Sequence, residues 1–188
     1  ISCSLVGSEM CIRDRMINMA GEATVQKLVG RSQRLSFMKT SDNKYVRMTK
    51  FTSLGDSKDA KEYSRQYVDE DSETSDVVGY ASGVSYEFDR HTNNPVHETI
   101  AKITDDEIVG TDARVEIVTV DLFDSATTKN TFNARSRAYS VIPDGSGDGT
   151  DSLAYSGTFK AAGAITKGTA TSADEWQTVT FTPVTVSV

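Results

Sequence analysis

Between Tyr45 and Phe51 the chain alternates. Tyr45, Arg47, Thr49 and Phe51 fall on one face and Val46, Met48 and Lys50 on the other, the two-residue period of a half-buried strand. The same pattern closes the chain, where Thr and Ser alternate with apolar residues after Gln177. It predicts strands over Arg34–Met38 and Tyr45–Ser53, joined by a turn at SDNK. Further strands are expected over Val77–Arg90, Ala113–Phe123, Phe132–Ile142, Leu153–Ile165 and Trp176–Val188. Val84, Tyr86 and Phe88 give the Val77–Arg90 strand one apolar face, with a weak point around Gly79 and Gly83. Ala113–Phe123 has a nearly continuous apolar centre, which implies burial on both faces. Gly168 to Asp174 reads as a turn, and PDGSGDGTDS (143–152) as the clearest loop. One segment has a helical period instead. Asn94 is placed to cap it, Pro95 suits its first position, and Val96, Ile100 and Ile103 form one apolar stripe that ends by Asp105, Asp106 and Gly110. The resulting class is mainly β, a sandwich or barrel with one flanking helix and a long charged loop arm.

That arm is the segment 54–76, LGDSKDAKEYSRQYVDEDSETSD. It is highly charged and has no clean period. Its centre, Lys58 to Tyr67, has the composition of a short helix, and Asp69 to Glu73 is an acidic run. Long charged excursions between strands are uncommon in compact domains unless they function or flex. A solvated loop is the plain reading. An arm that docks on a neighbouring subunit is the sharper one, and Tyr63 and Tyr67 lean towards it, because aromatic anchors are enriched at interfaces.

Composition narrows the picture further. A chain of 188 residues suits a single domain, and no apolar run approaches the roughly 20 residues of a membrane helix. The net charge of −7 is wrong for gripping phosphates. It suits a surface along which a polyanion slides without sticking. The string LVGSEMCIRD, Leu5 to Asp14, resembles a translated sequencing-adaptor sequence, and Met16 follows closely. Residues 1–15 are therefore expected to be a non-native extension and residues 16–188 a single domain, with 16–33 as an N-terminal arm. Both cysteines, Cys3 and Cys11, fall in that extension, so no disulfide framework or thiolate chemistry is expected beyond it.

Little in the sequence argues for catalysis. His91, His97 and Glu98 lie close in HTNNPVHE, but His91 precedes the helix and HExxH spacing is absent, so a strand-to-helix connection is the simpler reading. Asp144, Ser146, Asp148 and Gly149 match the first half of a calcium loop. Tyr155 stands where the bidentate Glu belongs, and no helices flank the segment. No nucleophile elbow, phosphate loop or glycine fingerprint is present. The expectation is no enzyme activity, no catalytic or metal-binding residue and no cofactor.

Three stretches carry a resemblance: YVRMTKFTSL (Tyr45–Leu54), KEYSRQYVDEDSETSDVVGY (Lys61–Tyr80) and YEFDRHTNNPVHE (Tyr86–Glu98). Together with VEIVTVDLFD and SVIPDGSGDGTD, they resemble the major tail (tail tube) proteins of long, non-contractile-tailed phages and prophages of Gram-positive bacteria, over residues 30–182. The resemblance implies a virion protein whose homo-hexameric rings stack into a tube through which DNA leaves the capsid without specific binding. It implies a tape measure protein and a tail terminator as partners, and no membrane. The 54–76 segment would then be the inter-subunit arm, with Lys61, Tyr63, Arg65, Tyr67, Asp69, Glu70 and Asp71 as contact residues. Strands lining the lumen should carry small polar residues and acids on one face, which makes Glu87, Asp89, Glu116 and Asp121 the lumen candidates. A tube subunit of a phage-tail-like bacteriocin or a secretion system fits the same features. A carbohydrate-binding β-sandwich of a tail or surface protein is the alternative of another class, although Tyr80, Tyr86, Tyr139, Tyr155 and Trp176 are too scattered for a row of sugar-stacking rings.

Overall fold

The structure, a computed structural model, describes residues 26–40, 44–126, 130–147 and 151–184. Residues 1–25, the tip of the SDNK turn and the last four residues lie outside this range, as does the expected adaptor-derived extension. Arg31–Val188 is one compact unit.

Among the described residues, nine strands and one α-helix build this unit. They are β1 (Arg34–Lys39), β2 (Tyr45–Arg47), β3 (Phe51–Arg65), β4 (Thr74–Asp89), α1 (Pro95–Asp105), β5 (Arg114–Ser125), β6 (Phe132–Ser146), β7 (Ala154–Ala161), β8 (Thr166–Thr171) and β9 (Thr178–Pro183). All nine strands belong to one antiparallel sheet in the order β3-β4-β7-β6-β5-β1-β2-β9-β8, and β8 also pairs with β6. That last pairing closes six strands, β6-β5-β1-β2-β9-β8, into a small barrel. Strand β6 forks: Phe132–Ser136 pair with β8, and Tyr139–Ser146 pair with β7. The sheet thus leaves the barrel as a wing, β7-β4-β3.

Two cores follow from this fork. One fills the barrel with side chains that alternate inwards from its strands, among them Leu35, Phe37, Val118, Val120, Ala134, Ala170 and Val179. Trp176 plugs it, its ring 6.5 Å from Phe37 and 5.3 Å from Phe132. The other core lies between α1 and the wing. Val96, Ile100 and Ile103 of the helix meet Tyr86 and Phe88 of β4, Phe159 of β7 and Val115 and Ile117 of β5. Strand β5 serves both cores, odd residues towards the helix and even ones into the barrel. This is the two-faced burial that its continuous apolar run implied. The helix begins as its sequence dictates. Asn94 Oδ1 accepts from the Val96 and His97 amides, and Pro95 needs no partner for its nitrogen.

The mainly β class with one flanking helix holds; the loop expected over 143–152 starts later, because Pro143–Ser146 continue β6 and pair with β7, and three further local expectations fail. The expected strand Tyr45–Ser53 is broken at Lys50, whose φ of 62° lets the chain leave the barrel and enter the wing. Gly168 lies in a strand, β8, rather than a turn. Its place is fixed by packing, because a side chain there would strike the Thr182 carbonyl and the Phe181 ring. The real turn is Ser172–Gln177, where Glu175 and Trp176 take positive φ and Asp174 accepts from the Thr178 amide and hydroxyl.

The third correction is the largest. Segment 54–76 is neither a loop nor a helix over Lys58–Tyr67. Strand β3 pairs with β4 from Phe51↔Phe88 out to Arg65↔Thr74, so most of the segment is a β-hairpin. Residues 58–67 favour helix locally but carry no apolar stripe to bury. Pairing with the β-branched run before Gly79 satisfies the backbone instead, a tertiary override of propensity.

Candidate assembly surfaces

The hairpin has two halves. Its base, up to Gly83 of β4, is backed by β7, because Gly83–Asp89 pair with Lys160–Ala154. Beyond Gly83 it pairs with no third strand among the described residues and projects as a two-stranded ribbon, with a bulge opposite Lys61 and Glu62. At about 3.3 Å per residue the free part is roughly 25 Å long. Such a ribbon is marginal in water by itself.

Its apolar side chains are exposed. Val78 keeps 66% and Tyr80 62% of its surface open, and Tyr63, Tyr67, Val68 and Val77 are exposed as well. The sequence-selected contact residues Lys61, Tyr63 and Arg65 lie on the outer part of β3, with the Arg65 guanidinium 5.7 Å from the Tyr63 ring. Tyr67, Asp69, Glu70 and Asp71 form the tip, where the Glu70 amide donates to the Tyr67 carbonyl at 3.1 Å. All seven are exposed. Val68, Val77, Val78 and Tyr80 were missed. The available signal was the apolar run VVGY standing directly against the acidic tract.

The acids chosen as lumen candidates do not form one set. Glu87 is exposed on the wing face turned away from α1, opposite Ser53 and Ser156 in a surface that also carries Ser85 and Thr158. Asp89 shares this face and accepts from the Ser152 hydroxyl at 2.7 Å. Glu116 instead stands at the barrel mouth. It accepts from the Ser136 and Tyr45 hydroxyls, with Lys39 Nζ 3.5 Å away. Burial by itself would raise its pKa; the two hydroxyls and the lysine outweigh that and hold it below the ordinary 4.5. Asp121 is buried and binds two guanidiniums, Arg34 at 2.6 Å and Arg135 at 3.1 Å.

A cleft of about 500 Å³ lies where β1, β2 and the base of β3 meet. Met48, Phe51 and Leu54 give it apolar walls, and Arg31, Arg34, Arg47 and Lys50 bring four cations to it. Arg34 is paired with Asp121. Arg31 donates to two backbone carbonyls, of Arg34 at 2.9 Å and Leu54 at 3.3 Å, and forms no salt bridge among the described residues.

The histidines serve the fold. His97 is fully buried, its ring centroid 4.2 Å from that of Phe88. Its Nδ1 accepts from the His91 amide at 3.2 Å, which places the proton on Nε2, facing the Thr49 carbonyl at 3.0 Å. Burial lowers its pKa, opposed by the bond to Thr49. Asp144 and Ser146 lie in β6 and Tyr155 in the helix-side core, while residues 148–150 of the calcium-like motif fall outside the described range. Among the described residues no three His, Cys, Asp or Glu side chains gather as a metal site requires, and no helix is long and apolar enough to cross a membrane.

No protein-family model matches the chain, and no curated protein does. Among solved structures, the chain is similar to one in the baseplate of the anti-feeding prophage, with 8% identity and a TM-score of 0.46 over 76% of this chain and 95% of that one. It is also similar to one in the tube-terminating cap of the anti-feeding prophage, with 14% identity and a TM-score of 0.47 over 82% and 99%. Likenesses of this size establish neither a fold family nor a function.

Proposed function

We propose that this protein is a structural subunit of a phage-tail-type tube, assembling as homo-hexameric rings that stack and let DNA pass without specific binding. The observation that carries this reading is the ribbon. A two-stranded extension with six exposed apolar side chains has no cover among the described residues of its own protomer. Exposed strands of this kind are an aggregation hazard unless a neighbour covers them. A tube of identical subunits supplies that neighbour at every position. The resemblance of Lys61–Tyr80 to tail tube proteins falls on this same element. Lys61, Tyr63, Arg65, Tyr67, Asp69, Glu70 and Asp71 act as inter-subunit contacts, joined by Val77, Val78 and Tyr80. Glu87 and Asp89, on the small polar face of the wing, line the lumen, where negative charge repels DNA within a screening length of about 10 Å at 0.1 M salt. A tape measure protein inside the tube and a terminator at its end are the other partners, and the protein belongs to the virion. Neither cofactor nor catalysis is involved.

The carbohydrate-binding reading loses its platform, since Tyr86 and Tyr155 are buried in the helix-side core. Negative-stain electron microscopy of the concentrated full chain tests the proposal. Hollow tubes or six-membered rings are expected. A chain that stays monomeric, with its ribbon amides exchanging no more slowly at high concentration than at low, overturns it.

A further inference from the structure

We infer that the ribbon tip of one copy seats in the cationic cleft of another copy. The inference rests on the self-assembly proposed above and names the acceptor surface.

The two surfaces match in chemistry. The tip reads Tyr67-Val68-Asp69-Glu70-Asp71, two exposed apolar side chains followed by three acids. The cleft offers Met48, Phe51 and Leu54 to the first pair and Arg31, Arg47 and Lys50 to the acids. Among the described residues none of those three cations has a carboxylate within ion-pairing distance. Asp56 borders the adjoining hollow, and Asp121 is already held by Arg34 and Arg135, so the cations stay in excess.

Geometry excludes the chain's own tip. Leu54 borders the cleft, and the tip lies thirteen residues further along a strand whose pairing runs out to Arg65↔Thr74. At about 3.3 Å per residue this is roughly 40 Å, so the occupant is a second molecule. Tip and cleft are different patches of one surface. Their contact is heterologous and repeats from copy to copy, closing a ring or extending a filament. Charge complementarity of this kind fixes register and rejects wrong partners.

Carbodiimide coupling of an equal mixture of ¹⁴N- and ¹⁵N-labelled full chains tests this, read by mass spectrometry. A mixed-isotope amide between Lys50 and Asp69, Glu70 or Asp71 is expected. Two charge-reversed chains accompany it, Arg47→Glu with Lys50→Glu, and Asp69→Lys with Asp71→Lys. Each should lower the assembled fraction about tenfold or more, because like charges across a contact are costly, and the chain carrying all four changes should regain assembly. Thermal melting of each monomer should match the parent, since Lys50 and both aspartates are exposed and Arg47 is half-buried. Tubes without the mixed-isotope link, unaffected by either reversal, would overturn tip docking and leave the tube reading standing. The link found in small oligomers that never form tubes would support docking and overturn the tube. No link and no assembly would overturn both.

Discussion

The barrel and the ribbon are both built from antiparallel strands, yet they differ in what holds them. In the barrel every strand has two neighbours and an inner face filled by Phe37, Val118 and Val120, each fully buried. In the ribbon each strand has one neighbour and both faces are wet. Backbone pairing is common to both and contributes only modestly once exchange with water is counted. Burial separates them, and burial per residue sets which parts of a fold open first. One chain therefore carries a region with a buried core of its own and a region whose strands have none.

Three substitutions or conditions press on that difference, and the largest effect belongs to a core. Phe88→Ala removes a fully buried ring that touches Phe51, Tyr86, His97 and Tyr155. A loss of about 3–5 kcal/mol in urea unfolding is expected. A loss below about 1 kcal/mol would mean that the helix-side core is not the structural centre of the wing.

Acid comes next and acts on the same core. His97 is neutral and its folded pKa lies below the ordinary 6.5. The unfolded chain then binds the proton first, so stability falls as pH drops below that ordinary value. The slope from this one group is at most about 1.4 kcal/mol per pH unit, and it ends once pH passes the lowered folded value. His97→Gln keeps a donor for the Thr49 carbonyl and an acceptor for the His91 amide. It should flatten the dependence between pH 7 and 5.5 in paired urea titrations. An unchanged slope would assign the acid sensitivity elsewhere.

The smallest effect on stability belongs to the ribbon. Val78→Ser with Tyr80→Ser should move monomer unfolding by no more than about 0.5 kcal/mol, as exposed positions do. The same pair should abolish assembly in sedimentation. A comparable loss of monomer stability would show that the ribbon is part of a core after all, and the contrast with the barrel would collapse.

Much of this molecule was legible from local pattern. Asn94-Pro95 and the stripe Val96, Ile100, Ile103 specify a capped amphipathic helix wherever they occur, because capping and amphipathic period are properties of adjacent residues. The run Ala113–Phe123 announced a strand buried on both faces, since no alternation is needed where neither side meets water. The acidic and aromatic residues of the tip were likewise legible as an exposed element.

What the sequence left open depended on partners distant in the chain. Residues 58–67 have the composition of a helix, and only pairing with Thr74–Ser82 makes 58–65 a strand. Gly168 looks like a turn residue until Phe181, thirteen positions on, occupies the space of its missing side chain. Glu116 and Asp121 look like surface acids on alternate faces. Tertiary structure gives one to Ser136, Tyr45 and Lys39 and the other to Arg34 and Arg135. The cationic cleft draws Arg31 together with Arg47 and Lys50 from two stretches separated along the chain. Local sequence fixes which conformations are cheap, whereas long-range closure of the barrel decides which faces are buried and which charges are left without partners.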